Sequence, residues 1–87
     1  MKTYTIQSER YNPQLDTTRT YETTGTLQEL IEAFAYTLEC GHAYQHECGA
    51  HKINLRPKTA KSLVDNLNRA EENRMANGCA NVYYSLV

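Results

Sequence analysis

The most informative stretch of this sequence is Thr26-Leu27-Gln28-Glu29-Leu30-Ile31-Glu32-Ala33-Phe34-Ala35-Tyr36-Thr37-Leu38. It opens with a capping box, in which the Thr26 side chain and the Glu29 carboxylate each accept a hydrogen bond from the other residue's backbone N–H. Apolar residues then recur every three or four positions, as on one face of a helix. We therefore predict an amphipathic helix that ends at Gly41, because glycine accepts the left-handed conformation. Its apolar stripe comprises Leu27, Leu30, Ile31, Phe34, Ala35 and Leu38.

A second amphipathic helix is predicted further along the chain. Pro57 suits its first turn, where the missing N–H has no helical partner to lose. Asn77-Gly78 is expected to end this helix. Both helices should direct their apolar faces into one core. The second face comprises Ala60, Leu63, Val64, Leu67, Ala70 and Arg74 or Met75.

Three segments rich in β-branched and aromatic residues predict strands, at residues 3–7, 17–23 and 80–87. The first two should pair as an antiparallel hairpin through the nine-residue connection Ser8–Asp16. The predicted fold is one α+β domain over residues 1–87, with two helices packed on one face of a small, mainly antiparallel sheet. The predicted element order is β-β-α-α-β.

The composition is that of a folded globular protein. Hydrophobic residues make up 40% and charged residues 22% of the 87 positions, which is too apolar for disorder. No apolar run approaches the roughly 18 residues that a membrane span needs, and no signal-peptide pattern is present. We therefore expect a cytoplasmic protein without a membrane partner, with its three cysteines reduced. The oligomeric state stays open at this level.

The net charge of −1 conceals an asymmetry along the chain. Residues 1–50 hold three basic and seven acidic side chains, a net charge of −4. Residues 51–87 hold six basic and three acidic side chains, a net charge of +3. Such a charge distribution can steer association with a partner of complementary charge.

Between the two predicted helices lies a segment of unusual composition, Cys40–His51, with two of the three cysteines and all three histidines. Thiolates and imidazoles are the ligands that tetrahedral zinc prefers, so this segment raises the hypothesis of a zinc-binding module. However, structural zinc sites usually add a distant second pair of ligands, and here every candidate lies within twelve residues. We expect a polar interhelical loop without a metal or other cofactor. The candidate ligands are Cys40, His46, Cys48 and His51, or subsets that include His42.

Catalysis and nucleic-acid binding are two further hypotheses. A nucleophilic Cys48 beside His46 or His42 has only Glu47 as a nearby acid and no recognisable catalytic motif, so we predict that the protein is not an enzyme. The basic segment 52–61 contains no acidic residue and, with nearby tyrosines, could bind a nucleic-acid backbone and stack bases. A sequence pI of about 6.3 is low for that function, which we keep as an alternative. The tyrosines concerned are Tyr44, Tyr83 and Tyr84.

Four parts of the chain, spanning roughly residues 20–87, resemble small accessory proteins of bacteriophages and prophages. This class includes anti-CRISPR proteins, which act stoichiometrically by covering a functional surface of a host defence complex. The resemblance implies a host protein complex as partner, in the bacterial cytoplasm, and carries no catalytic motif. The four parts are Thr26–Tyr36 with Gly41, Tyr44–Glu47, Ile53-Asn54 with Pro57–Val64, and Ala76–Gly78 before the tyrosine-rich end.

The expected binding surface spans Cys40–His51, which we call the Cys/His segment, and the basic residues that follow it. Tyr44 lies between the acidic and basic parts of the chain, and tyrosine is enriched among the residues that dominate binding energy at interfaces. We therefore expect Tyr44 to lie at the centre of the interface, with charged residues on both sides that set its orientation. The candidate binding residues are Tyr44, His46, Glu47, Lys52, Arg56, Lys58 and Lys61.

Overall fold

The computed structural model describes residues 1–75 and 81–87. The three strands form an antiparallel sheet in the order β2-β1-β3. The predicted α+β class and the antiparallel sheet are confirmed. The expected helix end at Asn77-Gly78, Cys79, and the first residue of the last predicted strand, Ala80, lie outside the described residues. The elements are β1 (Tyr4–Asn12), β2 (Thr17–Gly25), α1 (Leu27–Ala33), α2 (Ala35–Ala43), α3 (Ala60–Met75) and β3 (Asn81–Leu86).

The hairpin of β1 and β2 is longer than the sequence indicated. The predicted nine-residue connection Ser8–Asp16 is wrong, since β1 continues to Asn12 and β2 begins at Thr17. Four residues, 13–16, connect the strands. The polar residues that suggested a loop instead lie in a part of β1 that is largely exposed, where a strand needs no apolar side chains.

The connection between the two strands is stabilised by its own polar side chains. The Asn12 carboxamide oxygen accepts the backbone N–H of Gln14 at 3.0 Å. Asp16 adopts a positive φ of 49°, and its carboxylate accepts the Tyr11 hydroxyl at 2.9 Å. Asn and Asp are the non-glycine residues that such turns favour, because their short side chains bond to nearby polar groups.

The first predicted helix is two helices that meet at Phe34. Its start is as expected, because Thr26 accepts the Glu29 N–H at 3.2 Å and Glu29 accepts the Thr26 N–H at 2.9 Å. The hydrogen bond from the Thr26 backbone N–H, followed by the effect of the Thr26 side chain, stabilises the ionised carboxylate and lowers the pKa of Glu29. At Phe34 the backbone leaves helical geometry (ψ 14°), and the ring packs edge-on against Tyr84 with centroids 5.7 Å apart. The bend lets α1 contact β2 while α2 packs along α3.

Gly41 does not end a helix. It lies within α2 and is buried against α3, where a Cβ atom would come 2.3 Å from the Cβ of Ala70. The prediction of a C-terminal stop is therefore wrong: glycine is needed here because two helices approach closely, and the left-handed conformation plays no part. The helix continues to Ala43.

The apolar faces of the helices share one core with the inner face of the sheet, as predicted. Ile6 and Tyr84 supply the buried apolar side chains of the sheet. Leu27, Ile31 and Phe34 are partly buried against this core. Within residues 1–75 and 81–87, no helix combines the length and apolarity needed to cross a bilayer. The buried core cluster is Ile6, Leu30, Leu38, Ile53, Leu63, Val64, Leu67, Ala70 and Tyr84.

Candidate functional site

The segment Lys52–Pro57, which we call the anchored segment, crosses the surface between α2 and α3 without joining the sheet. Along residues 52–56 its side chains alternate between exposed and buried or partly buried positions. Ile53 is 4% exposed, and Leu55 is partly buried against the core. Lys52 and Arg56 are exposed. The segment therefore has the sidedness of a strand, with an apolar side that attaches it and a charged side that faces solvent.

Side-chain amides supply the hydrogen bonds that a neighbouring strand would otherwise provide. Gln45 accepts the backbone N–H of Ile53 at 3.2 Å, and Asn66 accepts that of Asn54 at 2.8 Å. Asn54 in turn accepts the N–H of Arg56 at 3.0 Å. These hydrogen bonds fix three backbone N–H groups of the anchored segment, and two of them tie its backbone to Gln45 and to Asn66 of α3.

The helix that follows the anchored segment begins later than predicted. Pro57 precedes α3 by three residues, since the helix starts at Ala60. Thr59 accepts the backbone N–H of Ser62 through its hydroxyl at 3.0 Å, as an N-cap does. Pro57 is buried and attaches the end of the anchored segment instead.

On one side of the anchored segment lies a groove, the apolar groove, with a volume of about 650 Å³. Its walls come from α1, α2 and the anchored segment, and most of its lining side chains are aliphatic. Glu32, Glu39 and Arg56 add charge. Binding sites are commonly concave, mainly apolar and equipped with a few polar groups. The complete lining is Leu27, Gln28, Ile31, Glu32, Ala35, Leu38, Glu39, Leu55, Arg56 and Pro57.

On the other side lies a second, more open groove, the basic groove, of about 800 Å³. Lys52 and Arg56 reach it from the anchored segment and Arg69 from α3, and its lining contains no acidic residue. Cationic side chains without a carboxylate among them favour an anionic ligand. Arg56 lines both grooves. The complete lining is His42, Lys52, Ile53, Asn54, Leu55, Arg56, Ser62, Asn66 and Arg69.

Only two of the seven predicted binding residues line these grooves. Lys52 and Arg56 are brought together with Arg69, whereas Lys58 and Lys61 are exposed and line neither groove. Tyr44 is partly buried at the end of α2 and, like the exposed His46 and Glu47, also lies outside both linings.

The sequence interpretation missed the contribution of α3. Ser62, Asn66 and Arg69 follow one another at intervals of four and three residues, which places them in one polar stripe beside the apolar face of the helix. That spacing was a usable signal. The apolar groove had no comparable signal, because it forms only where residues 55–57 lie beside residues 27–39, and these two stretches are distant in sequence.

The three histidines of the Cys/His segment contact different partners and do not converge on one point. His42 and His46 contact the amide nitrogen of Gln45 at 3.1 and 3.4 Å through their Nε2 atoms. His51 instead contacts a carboxylate oxygen of Glu72 on α3 at 2.5 Å. Across the part of the chain that the structure describes, no three His, Cys, Asp or Glu side chains converge as a metal site requires.

We predict that the purified protein contains no stoichiometric zinc and keeps its melting temperature in the presence of a chelator. A structural zinc contributes directly to the free energy of folding, so its removal would unfold a zinc-dependent domain. Elemental analysis and a thermal melt with and without EDTA measure both quantities. One zinc per chain, or a chelator-induced fall in melting temperature, would contradict the prediction.

A buried carboxyl group of α3 lies outside both groove linings and was not anticipated. Glu71 is 5% exposed, and its desolvation raises its pKa, although Arg74 opposes this shift from 2.9 Å. Tyr84 lies nearby, and burial and the charge of Glu71 raise the pKa of its hydroxyl. Because Tyr84 is only 1% exposed, it cannot stack on a nucleic-acid base, and that part of the nucleic-acid hypothesis is wrong.

Comparison of this chain with protein families, with curated proteins and with solved structures found no match.

Proposed function

We propose that this protein is a stoichiometric inhibitor that binds a host protein complex. In this proposal the chain is encoded by a bacteriophage, and the leading target class is a bacterial defence complex, as for anti-CRISPR proteins. The target class rests on the resemblance of residues 20–87 to phage accessory proteins. Binding is supported by the geometry of the site, whose main features are two grooves on either side of the hydrogen-bonded anchored segment.

The observation that carries the proposal is the position of Arg56, which lines both grooves. The apolar groove can accept an aliphatic or aromatic side chain, and the basic groove can accept a carboxylate. A partner segment with an apolar residue followed by an acidic residue would fill both at once. Because a fixed backbone loses little conformational entropy on binding, the hydrogen bonds to the anchored segment favour tight association.

We expect Arg56→Glu to weaken binding to the target about thirtyfold, as loss of a residue worth 2 kcal/mol or more would do. The reversed charge would repel the partner's carboxylate at the point where the grooves meet. The target is first captured from a bacterial lysate with the tagged protein, and binding of the purified pair is then measured by calorimetry.

Lys58→Glu is the matched control, since it makes the same charge change on an exposed residue outside both grooves. It should mainly slow association at low salt, with a small effect on affinity. Equal affinities of the two variants and the parent would show that the grooves are not the binding surface.

Nucleic acid is the second candidate partner, favoured by the absence of acidic residues from the lining of the basic groove. Tyr83 is exposed, but it alternates with the buried Tyr84 and so projects from the opposite face of the sheet. This leaves the basic groove without the stacking platform that single-strand binding usually requires. Salt-dependent binding to an oligonucleotide, abolished by Arg69→Glu, would favour this candidate over a protein target.

A further inference from the structure

The two outer edges of the sheet are built differently. At the β3 edge, Asn68 donates to the backbone oxygen of Tyr84 at 2.9 Å and accepts its N–H at 2.8 Å. A side-chain amide from α3 thus occupies the hydrogen-bonding positions that another strand would use. The β3 edge is protected at its centre, and natural sheets commonly cover an edge in such a way.

Among the described residues, no comparable side-chain hydrogen bond covers the outer edge of β2. Residues 17–22 and 24 are exposed, and the strand contains neither proline nor lysine. Its pairing with β1 runs without a bulge from Tyr4 opposite Gly25 to Asn12 opposite Thr17. Proline, bulges and charged side chains, lysine above all, usually prevent an edge strand from pairing with another chain, and of these β2 has only the charged Arg19 and Glu22.

The register shows which backbone groups of β2 face outward. Val87 donates to the Thr5 oxygen, so the odd-numbered residues of β1 bond to β3 and the even-numbered residues bond to β2. Ser8, an even-numbered residue, lies opposite Tyr21. The odd-numbered residues of β2 therefore face β1. The N–H and C=O groups that point away from the sheet belong to Thr18, Thr20, Glu22 and Thr24.

We propose that β2 pairs with β2 of a second copy of this chain, antiparallel and about a two-fold axis at Tyr21. A two-fold axis places one residue opposite itself, and Tyr21 is the midpoint of the nine-residue strand. Only this choice overlaps all nine residues. Axes at Arg19 or Glu22 would place like charges directly opposite each other, which is destabilising.

Pairing at Tyr21 gives each side chain a compatible neighbour. Tyr21 is the aromatic residue of β2 and is 48% exposed, so two rings would cover each other at a pair without direct hydrogen bonds, where side chains are closest. Thr20 would lie opposite Glu22 of the second copy, and Arg19 opposite Thr23 of the second copy. The result is a continuous six-stranded sheet with both sets of helices on one face.

Thr20→Pro tests the proposal, with Thr20→Val as matched control. Proline removes an N–H that points away from β1, and by symmetry two intermolecular hydrogen bonds are lost in each dimer. Valine keeps the N–H and the β-branched shape. In sedimentation equilibrium the parent should change from monomer to dimer mass as concentration rises. We expect Thr20→Pro to weaken dimerisation at least about tenfold and Thr20→Val to leave it within about twofold.

A disulfide cross-link provides a readout that does not depend on how well the proline variant folds. Across the proposed axis, two Cα atoms at position 21 would lie about 4.5 Å apart, within disulfide range, so Tyr21→Cys should form an intermolecular bond between the two copies. The control Arg19→Cys should not, because its symmetry mates would be offset by four residues, roughly 13 Å. Mass spectrometry of the oxidised peptides distinguishes these bonds from those of the native cysteines.

A monomeric mass at all concentrations would overturn the proposal. So would equal loss of the dimer in both Thr20 variants, or cross-linking at position 19 as readily as at position 21. Target binding is measured separately through Arg56→Glu, so failure of the dimer leaves the proposed function to its own test.

Discussion

Replacing Gly41 with alanine is expected to destabilise the protein by about 3 kcal/mol, near the upper end for an overpacked core and a large part of a small domain's stability. The added Cβ would lie 2.3 Å from the Cβ and 2.5 Å from the Cα of Ala70. The second contact is with backbone, so α2 and α3 would have to move apart. Urea denaturation, followed by circular dichroism, measures the change.

Gly49→Ala is the control for a change of glycine to alanine that brings no steric clash. Gly49 has a φ of 78°, and an added Cβ would meet no atom within 4 Å. The expected cost is about 1–2 kcal/mol, from the left-handed conformation alone. If Gly41→Ala cost no more than Gly49→Ala, the close contact between α2 and α3 would be contradicted.

Asn73→Ala is expected to cost about 2–4 kcal/mol, because it leaves one buried and two partly buried backbone groups without partners. Asn73 is 3% exposed. It accepts the N–H of His51 at 2.7 Å and donates to the carbonyl oxygens of Gly41 and His51 at 3.0 and 2.9 Å. A single amide on α3 thus holds both α2 and the end of the Cys/His segment. Chemical denaturation of the variant gives the loss of stability.

Asn54→Ala is the matched control for this prediction. Asn54 is exposed, and its side chain accepts one backbone N–H, that of Arg56, which water can replace. Its loss should cost less than about 1 kcal/mol. Equal stability of the two variants would show that the Asn73 hydrogen bonds do not hold the segment.

These two residues show how a local interpretation of a sequence can fail. Glycine near a helix end suggests a stop, and Gly41 satisfied that pattern, yet its role is set by Ala70, 29 positions away. Asn73 sits in a helix where asparagine is merely a poor helix former, and only the fold shows the three backbone groups that it serves. Both roles depend on partners that are distant in sequence.

In the candidate site, too, some residues could be predicted from their neighbours in the sequence, and others depend on distant partners. Lys52 and Arg56 could be found from the sequence because they lie close together in a basic segment. Arg69 could also have been identified, from its spacing relative to Ser62 and Asn66. The apolar groove could not be predicted, because it exists only after α1, α2 and the anchored segment have come together.

The local features of this protein follow from its amino-acid sequence alone. The capping box of Thr26 and Glu29 and the apolar faces of the helices depend on hydrogen bonds and spacings within a few residues, so the pattern alone predicted them. The tertiary structure decided the bend at Phe34, the tight contact at Gly41, the anchored segment with its two grooves, and the unequal edges of the sheet. Each of these depends on which distant side chains come into contact, and that is set by packing of the whole chain.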